Sequence, residues 1–246
     1  MKTDRIIFTS IILSFVAGYA DTSTFVGDDG LFSAHVTGNF VMFAYDIVTN
    51  HNTGAWIKLI SFPVFILAVF ISTIIINHID DDKKAIHRFI ILEGILLILA
   101  GLFSWFYRHD HTGSILKIIT PMLIVFAMGL QNACGRLFAK EFLAPTTIMT
   151  GNSTQFIIDL AAFLRNKNQE KQNLTLKLVH ALYVISPFLI GCIIGAFITK
   201  ALGLGSVSFI GLLMLLLAGK QKSPRAYCFD VRVPMDSCGK QTSLVS

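Results

Sequence analysis

Two aspartates sit where a membrane-soluble stretch would be expected to carry none, and they sit in matching surroundings. Residues 37–47 read TGNFVMFAYDI and residues 150–160 read TGNSTQFIIDL; Thr37, Gly38, Asn39, Phe43 and Asp46 align without a gap on Thr150, Gly151, Asn152, Phe156 and Asp159. Asn, Phe and Asp at i, i+4 and i+7 share one face of a helix. A carboxylate in a membrane costs about 2.5–3.5 kcal/mol on insertion scales, so it faces a bundle interior or a water-filled cavity and serves proton or cation coupling. The competing reading is structural: each aspartate ties its short helix to a neighbour. Thr37 and Thr150 are expected helix caps, and Gly38 and Gly151 allow a sharp turn or a close approach. Free N–H groups at such a helix start can hold an anion or a carbonyl. If the two segments met on one axis, they would offer two amides, two carboxylates and two aromatic rings.

The elements that position these residues follow from composition. Of 246 residues, 54% are hydrophobic and 14% charged, with mean hydropathy +0.67. A soluble domain carries about 25% charged residues, and a disordered chain is poor in apolar ones. Six long apolar runs, roughly 6–26, 57–77, 88–107, 115–134, 177–199 and 202–219, approach or reach the ~20 residues that cross a bilayer. The two Thr-Gly-Asn segments, roughly 36–49 and 149–164, are too short to cross and read as half-helices. The expected fold is an all-α, polytopic helical membrane protein with about six transmembrane helices and two half-helices. Lys2, Arg5 and Ala17-Gly18-Tyr19-Ala20 also fit a signal peptide, but a related segment recurs in the chain interior.

The recurrence extends beyond the motif. At the same offset Ala20 meets Ala133 and Phe25 meets Phe138, and the next spans carry Pro63 and Pro187. The expected organisation is a membrane domain over 1–219, with one copy at about 5–107 and another at about 115–219, followed by a polar cytoplasmic tail at 220–246. Internal repeats place substrate and ion sites at the interface between copies in transporter folds. Three crossings per copy require inverted copies, and four require parallel ones. Inverted copies put about 14 basic residues inside against 4 outside, Lys58 among the latter; parallel copies give about 12 against 6. The inverted arrangement is favoured, and both put the termini in the cytoplasm of a bacterial inner membrane.

Gly18-Tyr19-Ala20-Asp21, His35-Val36-Thr37-Gly38-Asn39, Met128-Gly129-Leu130-Gln131-Asn132-Ala133 and Thr146-Thr147 before Thr150-Gly151-Asn152 form an ordered set. The set resembles the YoaK-like family of bacterial integral membrane proteins over roughly residues 10–218. That resemblance implies a multi-spanning fold and leaves the activity open, since the family is of unknown function.

The expected function is a small-molecule or ion transporter with its site at the repeat interface; a non-transporting scaffold or sensor is the alternative. The lipid bilayer and an unknown small molecule or ion are the expected partners, an oligomer is allowed, and no nucleic acid is expected because the basic residues follow topology. Asp21, Gln131 and Asn132 could complete the site or anchor span ends. His35 reads as a lone loop histidine, since Ile148 is its counterpart, and Glu93 as a snorkelling residue near the start of its span. Cys134 and Cys192 lie in apolar runs, and Cys228 and Cys238 lack metal-ligand spacing, so no metal site or cofactor is expected. No Ser/His elbow or HExxH pattern marks an enzyme. Tyr45-Asp46 superficially matches an aspartyl intramembrane protease, but Asp159 lacks the Gly-x-Gly-Asp context.

Overall fold

The computed structural model describes residues 2–49, 54–76, 79, 81–107, 115–165 and 171–220; the tail beyond Lys220, with Cys228 and Cys238, lies outside them. Among the described residues there is no strand. The helices are α1 (Lys2–Gly27), α2 (Gly38–Thr49), α3 (Ala55–Ile76), α4 (Asp82–Tyr107), α5 (Leu116–Leu137), α6 (Met149–Arg165), α7 (Lys171–Leu202) and α8 (Val207–Lys220), with 3-10 turns at Ala139–Glu141 and Leu204–Ser206. Helices dominate because lipid offers no partner to a backbone N–H or C=O, so each segment must satisfy its own. Pro63, Pro121 and Pro187 are accommodated inside α3, α5 and α7.

Five helices, α1, α3, α4, α5 and α7, are long and apolar enough to cross a membrane. The sixth expected run forms a shorter helix: Gly203, at a positive φ of 79°, separates it from α7, and Leu204–Lys220 is a shorter apolar piece. The surface is apolar, with Val48, Phe70, Phe106 and Phe197 exposed, while Ser14, Asp21, Ser23, Thr24 and Glu93 are buried inside. That distribution suits lipid outside and helix–helix hydrogen bonds inside. Within the apolar windows, 61% of α1 and 67% of α5 are buried, against 17% of α3 and of α7. The first pair therefore forms the centre and the second the rim.

Small residues set the helix pairs. α1 and α7 run parallel, with Gly18 against Phe188, Gly191 against Phe15 and Gly195 against Tyr19. α3 runs parallel to α5, where Gly129 meets Ala68 and Phe65. α4 and α8 are antiparallel, Gly94 facing Gly211 and Gly101 facing Gly205 and Ser208. α4 is also antiparallel to α5, with the Phe89 and Phe138 rings 6.4 Å apart. α1 opposes α8: Tyr19 donates to the Ser206 carbonyl, and Lys220 lies over the Phe8 ring. The short helices pack on the helices that follow them, α2 on α3 and α6 on α7.

Candidate functional site

The predicted polar face forms in both half-helices. Asn39 and Asp46 are the buried residues of α2; Asn152 and Asp159, with Met149, are those of α6. Phe43 and Phe156 lie half-buried between them, and the Phe43 ring stands 5.3 Å from that of Trp56. Asn39 clamps the loop before α2: its Nδ2 donates to the Phe32 carbonyl at 2.8 Å and to Ser61 Oγ at 2.7 Å, while its Oδ1 accepts from the Phe32 N–H. Asn152 Nδ2 donates to the Pro145 carbonyl at 2.7 Å. Both bonds reach back seven residues, and proline, which has no N–H, prevents the second clamp from closing on both sides. Thr37 directly precedes α2. Thr150 does not cap α6, because that helix starts one residue earlier at Met149 and takes Thr150 and Gly151 into its first turn. Gly38 lies against the Phe32 ring, whereas a side chain at Gly151 would meet only ordinary contact with Ile148.

The two aspartates are not joined in one constellation. Asp46 forms an ion pair with Lys58 of α3, and both side chains are buried. Asp159 accepts from Gln155 of its own helix at 3.0 Å. The expected single axis of two amides, two carboxylates and two rings is therefore replaced by two separate half-sites. The physical reason is that each half-helix buries its polar face against its own following helix. Lys58, counted on the outer side of the membrane, is a buried cation in the first turn of α3.

Beside this pair is a cleft of about 30 Å³, lined by Asp28, Asp29, Leu31, Gly54, Ile57 and Lys58. Its volume admits about one water or one small ion. Asp29 and Gly30 take positive φ values of 47° and 82°, so the chain leaves α1 through a left-handed turn that carries both carboxyls to the cleft. Burial first, then repulsion from Asp29, raise the Asp28 carboxyl from 3.8 to about 6, with Lys58 opposing the change. The folded state thus keeps a proton that the unfolded state has already released. Stability contributed here is present at low pH, falls as pH rises from about 4 to about 6, and is level above that. Asp28→Asn is expected to flatten this part of the curve; an equally steep fall in thermal unfolding midpoints would exclude Asp28 as its source.

Asp21 ties the segment before α2 back to α1. Its Oδ1 accepts from the N–H groups of Ala34 and His35, and its Oδ2 lies 2.7 Å from His35 Nδ1. His35 is accordingly not a lone loop histidine: the Asp21 hydrogen bond, opposed by burial and reinforced by the Asp21 charge, raises its pKa. Gln131 is buried, and its Nε2 donates to the Leu13 carbonyl and to Thr146 Oγ1, both at 2.8 Å. Asn132 is half-buried beside it. Glu93 does not snorkel, because α4 begins at Asp82 and places it near mid-helix, 2% exposed.

Sequence reasoning missed Lys58 and Glu93 as interior groups. The signal for Lys58 was present, since a lysine at the second position of an apolar run calls for a counterion. Among the described residues no three His, Cys, Asp or Glu side chains are grouped to hold a metal.

No solved structure matches the chain. The sequence is 26% identical over 187 residues, 75% of this chain and 80% of the relative, to UPF0700 transmembrane protein YoaK of Bacillus subtilis (strain 168). With its apolar helices, this supports a multi-pass membrane protein. The family model described as protein of unknown function (DUF1275) matches residues 9–219, and the chain belongs to that family.

Proposed function

We propose that this protein is a small-molecule or ion transporter of six crossings, built from two inverted copies with both termini in the cytoplasm. The observation that carries the reading is the reciprocal packing of α4 and α8. Gly94 meets Gly211 and Leu215; Gly211 meets Gly94 and Ile98. Gly94 and Ile98 lie the same number of residues before Gly211 and Leu215. Such exchange of partners fits a two-fold relation between the copies, and the antiparallel course of the two helices fits an inverting one. The matched Asn39 and Asn152 clamps support it, as do the parallel pairs α1 with α7 and α3 with α5. The balance of about 14 basic residues inside against 4 outside supports the same orientation.

Inverted copies underlie alternating access, in which one half rocks against the other around a site at their interface. In this reading α2 and α6 enter from opposite faces. Asp46 with Lys58 guards one approach to the interface, and Asp159 with Gln155 guards the other. The test is flux into proteoliposomes of protons, sodium, rubidium, chloride and a panel of amino acids. Asp46→Asn and Asp159→Asn should each lower the flux by about tenfold or more, the cost of about 1.4 kcal/mol in a barrier. Flux no greater than in empty liposomes for every probe would overturn the transport reading; flux unchanged in both variants would remove the aspartates from it.

A further inference from the structure

The half-sites leave one buried acid unused. Glu93 lies near the middle of α4, where α4, α5 and α8 meet, and it precedes the Gly94 crossing with Gly211. Its neighbours in the core include Phe89, Ile90, Leu97 and Met214. Its Oε1 is fully buried without a hydrogen-bond partner, and no ion pair reaches it among the described residues. Across the α4–α5 interface, Cys134 is the titratable group within electrostatic range. From α8 the titratable group is Lys220, at the far end of that helix over the Phe8 ring, and the 3-10 turn at Leu204–Ser206 brings none. On α4 itself the nearest in sequence are Arg88, which is exposed, and His87, whose Nδ1 is buried without a hydrogen-bond partner among the described residues.

A carboxylate cannot persist in such surroundings without a counterion, whereas a carboxylic acid can. A purely apolar core would be served better by leucine, so an unpaired acid in a membrane interior marks a function. A second observation points the same way. Gln131 lies one turn from Cys134 on α5, and its Oε1 is likewise buried and unpartnered. Its amide is hydrogen-bonded to Thr146 in the connection between α5 and α6. Thr146 and Gln131 thus place hydrogen-bonding groups one helical turn from Cys134, the α5 residue nearest Glu93, in a core that is otherwise largely apolar.

We propose that Glu93 is a proton-binding site inside the membrane core, exchanging its proton with water along Thr146 and Gln131. The step is a protonation only: a carboxylate oxygen gains one proton from water at the α5–α6 face, and the acid later returns it. This deepens the transport reading and rests on it for the use made of the proton, though not for the exchange itself.

The chain has three glutamates, Glu93, Glu141 and Glu170, so glutamate labelled with carbon-13 at the side-chain carboxyl isolates the signal without mutation. Infrared spectra of the labelled full chain in liposomes should show the carbonyl stretch of one protonated carboxyl at neutral pH. The band should shift on transfer to deuterium oxide, fade as pH is raised, and be missing in Glu93→Gln. No such band at neutral pH would overturn the proposal, as would a band insensitive to both deuterium oxide and pH, which describes a sealed structural acid. Because the band is read in the unmutated chain, a poorly folding Glu93→Gln does not decide the result. An exchanging band in a protein without flux would remove the transport reading alone; flux without the band would remove the proton site alone.

Discussion

Lys58→Met is expected to destabilise the protein by about 3–5 kcal/mol, the usual cost of stripping one partner from a buried ion pair. Both side chains of the Lys58–Asp46 pair are nearly inaccessible, at 4% and 5% exposure. Methionine preserves most of the volume of lysine, so the loss measures the stranded Asp46 carboxylate rather than a cavity. Lys58 also stands in the first turn of α3, where the helix dipole disfavours a cation. Its retention there depends on Asp46, and Asp46→Leu alone is expected to be comparably damaging. The double variant Lys58→Met with Asp46→Leu should recover most of the loss, since two apolar side chains replace a pair whose desolvation offsets much of its attraction. Thermal unfolding midpoints in detergent for the two singles and the double provide the check. A double variant as unstable as the sum of the singles would show that the side chains do not act as a pair.

Gly18→Leu and Gly191→Leu form the second large prediction. A Cβ at Gly18 would fall 2.1 Å from the Phe188 carbonyl oxygen, and one at Gly191 would fall 2.2 Å from that of Phe15. The obstructing atoms are backbone, so relief requires α1 and α7 to separate. Helix association in lipid draws on close packing of small residues. Each substitution should cost at least ~3 kcal/mol, the upper end of the overpacking range, and should lower the yield of folded protein. Gly219→Ala is the control, because nothing lies within 4 Å of its added Cβ. It should be neutral, or stabilising by up to about 1 kcal/mol through helix propensity. Equal effects of Gly219→Ala and Gly18→Leu would show that the contact at Gly18 is not what limits stability.

Much of the membrane architecture was legible because hydropathy is a local property. The apolar runs became helices, and the face shared by Asn39 and Asp46, like that of Asn152 and Asp159, was visible in the helical period alone. The errors have specific sources. The sixth run, 202–219, keeps its apolar length, but Gly203 and the following 3-10 turn take up its start, so α8 is shorter than hydropathy alone indicates. Glu93 was placed near a helix start because Asp82, Lys83 and Lys84 are polar, yet they form the first turn of α4. Thr150 was read as a cap because its motif matches that of Thr37, but the backbone before α6 enters the helix earlier.

The sequence by itself determined the solvent, the helical class, the repeated motif and the residues that share a face. Each depends on residue type and on spacing within a turn or a span. Only the tertiary structure decided which charges meet: Lys58 with Asp46 across two helices, His35 with Asp21 through a loop that folds back onto α1, and Glu93 with its Oε1 unpartnered among the described residues. Electrostatic pairing depends on distance through space, and a buried charge takes its chemistry from whatever the fold brings beside it.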